Sequence, residues 1–322
     1  MKKILLFIGL GLVIIIAGLL SFVKFALPNV GEPEEISAEI TDAQLERGAY
    51  LANSVAVCMD CHSTRDWNLF SGPLKPGTLG MGGEKFGEEL GFPGNFYAKN
   101  ITPYALKDWT DGEILRAIAS GVNKTGEPLF PVMPHPNYGK MDKEDLLAII
   151  AYLRSLEPLE NEVKKSEATF PMNFILNLIP KKPNYTTKPT AEDKLAYGEY
   201  LFNTASCTDC HTKQIKGKPV EGMHLAGGFE FPLFSGGKVV SSNITPDKET
   251  GIGNWTEQDF VNKFKLYADS TYVPQQVKAG EFNTVMPWTM YGTMKEEDLK
   301  AIYTYLRTVK PINNKVVKFS AN

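Results

Sequence analysis

Cys58-Met59-Asp60-Cys61-His62 decides the reading of this chain: two thiols one helical turn apart, with an imidazole directly after the second. That spacing is the attachment signature of a c-type haem, in which each thiol adds to one vinyl group and the adjoining His becomes the proximal iron ligand. The signature recurs as Cys207-Thr208-Asp209-Cys210-His211, and the two copies use all four cysteines of the 322-residue chain. Two covalently bound haem c groups are therefore expected, attached through Cys58, Cys61, Cys207 and Cys210, with His62 and His211 as metal ligands. A thioredoxin-like pair should follow a strand in a βαβ unit, whereas the residues before each pair here read as helix. A four-thiolate zinc site would have to join pairs with 145 residues between them, and would leave both trailing histidines unexplained.

Upstream of the first signature, Thr41-x-x-Gln44 opens a helix in which Leu45, Gly48 and Leu51 or Ala52 share a face. Downstream, residues 63–99 are rich in Gly and Pro, include Gly82-Gly83, and read as one long loop wrapped around a large flat cofactor. A phosphate-binding loop does not fit, since no strand precedes it and no Gly-Lys-Ser/Thr follows. Asn100-Ile-Thr-Pro103 leads to Trp109 and the capping box Thr110-x-x-Glu113, whose helix carries Ile114, Leu115 and Ile118 inward and ends at Gly121. After the loop Phe130-Pro-Val-Met133-Pro-His135-Pro, a helix from about Asp142 to Leu156 places Leu146, Ile149, Ile150, Leu153 and Leu156 on one face.

The chain then repeats itself. Thr190 is the expected cap of a helix bearing Leu195, Gly198 and Leu201, and the second signature follows. Gly227-Gly228, Asn243-Ile-Thr-Pro246, Trp255-Thr256 and Met286-Pro287 restate their counterparts in order. Tyr291–Pro311 aligns without gaps to Tyr138–Pro158, with 12 of 21 positions identical. A repeat of this length is a duplicated domain rather than a solenoid unit. The expected fold is mainly α, with tandem domains at 41–158 and 190–322 joined by a linker at 159–189. The linker's apolar run Phe170–Ile179 reads as packing between the domains, with a membrane-surface element as the alternative.

Residues 1–27 stand apart. Lys2 and Lys3 precede twenty uncharged, mostly aliphatic residues, Ile4 to Val23, and Lys24 follows. About twenty such residues span a bilayer core as a helix. A cleaved secretory signal has a shorter apolar region and a small-residue cleavage site, and Ser-Phe-Val-Lys-Phe-Ala makes a poor one. The segment is read as an uncleaved transmembrane anchor in the cytoplasmic membrane, with 28–40 as a Pro-, Gly- and Glu-rich tether. Lys2 and Lys3 keep the N-terminus inside, so the rest lies on the periplasmic or outer face. These first 27 residues carry three lysines and no acid, so the net charge of −3 leaves −6 on the remainder. That balance argues against a nucleic-acid partner, which calls for a basic patch.

The sixth iron position decides what such a protein does: a filled site carries electrons and an open one does chemistry. Met133 and Met286 are the candidate ligands among ten methionines, each in a loop between the middle and last helices, each followed by Pro, 71 and 75 residues after the proximal histidines. A thioether favours the ferrous state and raises the potential. His135 is the one rival to Met133, but it aligns with Trp288, which cannot ligate, so it is expected nearer the haem edge or a partner surface. Trp109 and Trp255 are candidates for packing on a haem edge, and Asn100, Thr102, Asn243 and Thr245 for donors in the haem crevice.

Each copy resembles a class I cytochrome c domain: N-terminal helix, Cys-x-x-Cys-His, loops, a Met-Pro loop and a C-terminal helix crossing the first. The double-Gly loops, the Asn-Ile-Thr-Pro segments, Gly251-Ile-Gly-Asn-Trp255-Thr256 and the Asp-Leu-x-Ala-Ile-x-x-Tyr-Leu-Arg helices resemble the cytochrome c subunits of membrane-bound bacterial alcohol, gluconate and fructose dehydrogenases. Those subunits usually carry three haem signatures, and this chain has two. The resemblance implies a membrane-anchored dihaem electron carrier without independent catalysis. Its partners would be a dehydrogenase or quinol-oxidising complex and a terminal oxidase, and its haems would lie on the outer side, where bacteria attach them. The alternative is a dihaem enzyme, a peroxidase or small-molecule dehydrogenase, with one open haem. The Met-Pro loop in both copies argues against it.

Overall fold

The computed structural model describes residues 2–321. α1 (Lys2–Phe25) is one apolar helix with no buried residue, long and apolar enough to cross a membrane. In the first copy of the repeat, α2 (Asp42–Tyr50) passes through a single wide turn, Leu51–Val55, into α3 (Cys58–Cys61). Next come α4 (Pro103–Leu106), α5 (Asp111–Ser120), α6 (His135–Tyr138) and α7 (Lys143–Ser155), and α8 (Met172–Ile175) lies between the copies. The second copy builds the corresponding helices α9 (Lys194–Thr204), α10 (Cys207–His211), α11 (Glu257–Lys265), α12 (Trp288–Tyr291) and α13 (Glu296–Leu306).

The caps follow local chemistry. The Thr41 hydroxyl accepts from the Gln44 N–H, and Thr110 and Glu113 cap each other's amides. Thr190 does not cap α9; the helix starts at Lys194, and the Asp193 carboxylate accepts the Ala196 N–H at 3.1 Å. Residues 190–193 close a turn of their own through Asp193 N–H to Thr190 C=O, which leaves the stronger acceptor at the first free amides.

Two helix crossings organise the fold. α2 lies on α7 and α9 on α13, each pair meeting at a glycine. A Cβ at Gly48 would overlap the Ala148 carbonyl, and one at Gly198 the Ala301 carbonyl. The absent side chains let the helix backbones touch, and Leu51, Leu146, Ile149 and Ile150 in one copy and Leu201, Leu299 and Ile302 in the other close around each contact.

The long loops contain short strands that their Gly and Pro content concealed. β1 (Lys85–Phe86) pairs antiparallel with β2 (Gly94–Tyr97), and β3 (Glu167–Ala168), from beyond α7, adds to β2. The second copy has a small hairpin of β4 (Gln214–Ile215) and β5 (Lys218–Pro219), then β6 (Glu230–Pro232) on β7 (Lys238–Val240). β8 (Phe319–Ser320), from beyond α13, completes that sheet, so each copy's exit chain returns to edge its own hairpin.

Where separate cores were conceivable, the buried apolar residues of both copies join into one cluster. The seam between the copies is reciprocal. Tyr50 of the first donates to Asp298 of the second at 2.5 Å, and Tyr200 of the second donates to Asp145 of the first at 2.6 Å. The tyrosines hold equivalent repeat positions, as do the aspartates, so the exchange has the form a two-fold relation requires. Burial would raise the Asp145 carboxyl, but the Arg47 guanidinium, bound through two nitrogens, and the Tyr200 hydroxyl outweigh it and hold it below its usual range. Tyr50→Phe and Tyr200→Phe are each expected to lower stability by about 1.5–3 kcal/mol, as for a hydrogen bond to a charged group. Urea unfolding of the single and double variants checks this; full stability in the double variant would dissolve the seam's importance.

The run Phe170–Ile179 does not pack between the copies. α8 and the turn Leu176–Leu178 lie against α1, while Phe170, Ile175 and Leu178 are exposed.

Candidate haem sites

The geometry around the two signatures is the same in both copies. His62 lies at the end of α3, and its Nδ1 is 2.6 Å from the Lys99 carbonyl oxygen; His211 Nδ1 is 2.8 Å from the Ser242 carbonyl oxygen. A carbonyl only accepts, so Nδ1 carries the proton in each ring and Nε2 keeps its lone pair for a metal. Burial lowers the pKa of both imidazoles and keeps them neutral, the state a ligand needs.

The double glycines make these bonds possible. Gly82 and Gly227 both have left-handed backbones, and their N–H groups donate to the His62 and His211 carbonyls at 2.8 Å. A Cβ at Gly82 would run into the Lys99–Asn100 peptide, and one at Gly227 into the Ser241–Asn243 backbone. The loop therefore presses against the backbone that orients each histidine. Gly82→Ala and Gly227→Ala are expected to cost about 1–3 kcal/mol through φ and overlap. Each should also perturb the low-spin electron paramagnetic resonance signal of one haem. Unchanged g-values in both variants would show that the loop does not set the histidine orientation.

Cys58, Cys61 and Cys207 are half-buried, Cys210 is exposed, and all four are free of disulfides. Burial pushes the Cys58 and Cys207 thiols up to about 12, the opposite of a redox-active Cys-x-x-Cys pair. Among the described residues no three His, Cys, Asp or Glu side chains gather as a metal set, so the thiols do not converge on a shared zinc site. A thiol pair beside an Nε2-free imidazole, twice over, is a donor set that fits c-type haem.

Both signatures face the seam. Tyr138 donates to the Ala56 carbonyl at 3.0 Å and Tyr291 to the Ala205 carbonyl at 2.8 Å, each just upstream of its own signature. Burial, then Cys58 and Cys61, then Asp209 of the other signature raise the Tyr138 hydroxyl far above its usual range. Tyr291 is raised in the same way, with Tyr138 and Asp60 among its neighbours. Sequence reasoning used these tyrosines only to align the repeat; their place between the signatures was not legible.

Met133 and Met286 are half-buried against the core, in the turns that lead into α6 and α12. His135 is 1% exposed and its ring lies on the Gly121 backbone at the end of α5, with Nε2 and Cε1 both against that glycine. Trp288 takes the same course, packing on Phe264 and Tyr267 at the end of α11 with ring centroids 5.2 and 4.9 Å away. His135 is thus not part of an exposed partner surface, and burial pushes its pKa down to about 4.

Asn100 and Thr102 are likewise not crevice donors. The Asn100 carbonyl accepts from the Thr102 N–H and hydroxyl while its amide donates to Leu159 C=O; Asn243 and Thr245 repeat this with Ile312. These pairs clasp the chain leaving α7 and α13. Trp109 is half-buried against the core, and Trp255 is 36% exposed.

Residues 195–310 match the family described as Cytochrome c. The chain is 28% identical over 288 residues to the alcohol dehydrogenase (quinone) cytochrome c subunit of Gluconacetobacter polyoxogenes, covering 84% of this chain and 57% of that one. It is 26% identical over 286 residues to the gluconate 2-dehydrogenase cytochrome c subunit of Pantoea cypripedii, covering 84% and 60%. A diheme cytochrome c-type protein of Cereibacter sphaeroides is 26% identical over 266 residues, covering 79% and 82%. The chain thus spans less than two thirds of the length of the dehydrogenase subunits it matches. Residues 195–310 thus match the cytochrome c family, and most of the chain is similar to the cytochrome c subunits of bacterial alcohol and gluconate dehydrogenases.

Proposed function

We propose that the chain is a membrane-anchored dihaem cytochrome c that passes electrons from a dehydrogenase or quinol-oxidising complex to a terminal acceptor. In this reading residues 41–158 and 190–322 are two cytochrome c domains. Cys58 and Cys61, with His62 and Met133, would hold the first haem, and Cys207 and Cys210, with His211 and Met286, would hold the second. Bound there, the haem supplies a one-electron iron couple. The protein's part is to hold the Nδ1 protons on the Lys99 and Ser242 carbonyls and to set the two sites side by side across the seam.

The observation that carries this reading is the duplicated Nδ1–H to carbonyl bond, at 2.6 and 2.8 Å, with a pair of disulfide-free cysteines beside each imidazole. α1 supports the anchor through its length, its apolar character and its exposure. The dehydrogenase as donor rests on the names of the similar subunits. An alkaline pyridine spectrum of the denatured protein is expected to give two haems per polypeptide, neither extractable into acid acetone. One haem per chain, or an extractable haem, would remove the dihaem reading.

A further inference from the structure

α8 and its flanks form an exposed apolar patch beside the proposed anchor. Phe170 is 78% exposed, Leu178 56% and Ile175 40%, within nine residues of one another, and Phe174 packs edge-on to Phe170. Leu176, between them, is buried. Both α8 and the turn after it touch α1, and Val23 in the last turn of α1 is half-covered.

Charge complements the patch. No acid occurs between Glu167 and Glu192, and Lys181 and Lys182, directly after the apolar run, are exposed, as is Lys24 near the end of α1. Apolar side chains rimmed by lysines suit the boundary between acyl chains and anionic headgroups. We infer that residues 169–182 are a second membrane contact, inserted into the outer leaflet interface where α1 emerges. A single helix on a tether leaves the haem-bearing body free to rotate; a second contact fixes which face meets the bilayer and which meets redox partners. This rests on the reading of α1 as a membrane anchor.

The test uses the full haem-loaded chain in vesicles of phosphatidylethanolamine and phosphatidylglycerol, where the native cysteines are held as thioethers. Nitroxide labels are placed singly by Leu178→Cys, Leu12→Cys in α1 and Glu257→Cys at the exposed start of α11. Collision with oxygen relative to a water-soluble nickel chelate is expected to be severalfold higher for labels at 178 and 12 than at 257. A label at 178 that matches the one at 257, with the label at 12 in lipid, overturns the second contact while keeping the anchor, and leaves the patch to a protein partner. A label at 12 in water with one at 178 in lipid removes the anchor and keeps the surface contact; both in water removes both.

Discussion

Met133→Ala is expected to remove the near-infrared sulfur-to-iron band of one haem out of two, lower that haem's potential and let it bind carbon monoxide. Axial ligation spans ~0.8 V of potential, and loss of a thioether should move one couple down by on the order of 100 mV or more. Met286→Ala should do the same to the other haem, so a redox titration of the two variants assigns the potentials. His135→Ala should leave the band, the potential and the carbon monoxide response nearly unchanged. Its ring is lodged on the Gly121 backbone, as that of Trp288 is lodged on Phe264 and Tyr267, so it occupies a packing position rather than an open one. Carbon monoxide binding in His135→Ala but not in Met133→Ala would reverse the ligand assignment and favour an enzyme over a carrier.

Gly48→Ala and Gly198→Ala are expected to be strongly destabilising for substitutions of a single methyl group. Each new Cβ meets a backbone carbonyl on the facing helix, of Ala148 or Ala301, and a backbone cannot turn aside as a flexible side chain can. Separation of the helices would also loosen the contacts of Leu51 and Leu201, both fully buried. Overpacking of this kind costs about 3 kcal/mol, which for a protein of this size lowers Tm by roughly 4–5 °C. Thermal unfolding followed in the Soret band measures it. Gly11→Ala, whose Cβ would have open space around it, should leave Tm in place; equal effects at all three glycines would show that helix crossing is not the cause.

The shared core makes such damage travel. The buried residues of both copies form one cluster and the two tyrosine–aspartate pairs cross the seam. Gly48→Ala should therefore shift the unfolding of both haem environments together.

What the sequence determined by itself was local or periodic. The signatures at 58–62 and 207–211, the Met-Pro turns, the caps at Thr41 and Thr110, the inward faces of α5 and α7 and the duplication are all readable because each is a spacing of side chains along the chain. Three kinds of feature were decided only by tertiary structure. The carbonyls of Lys99 and Ser242 orient the histidines, yet every residue has a carbonyl, so no side chain announces one that will lie under an imidazole. Asn100 and Asn243 have side chains suited to a cofactor crevice, and only the return of the chain past α7 and α13 shows that Leu159 and Ile312 use them. Tyr50 and Asp298 are 248 positions apart, and their pairing depends on how two folded copies set their surfaces together. That arrangement follows from the shape of the completed copies and from burial shared between them, which no window of sequence contains.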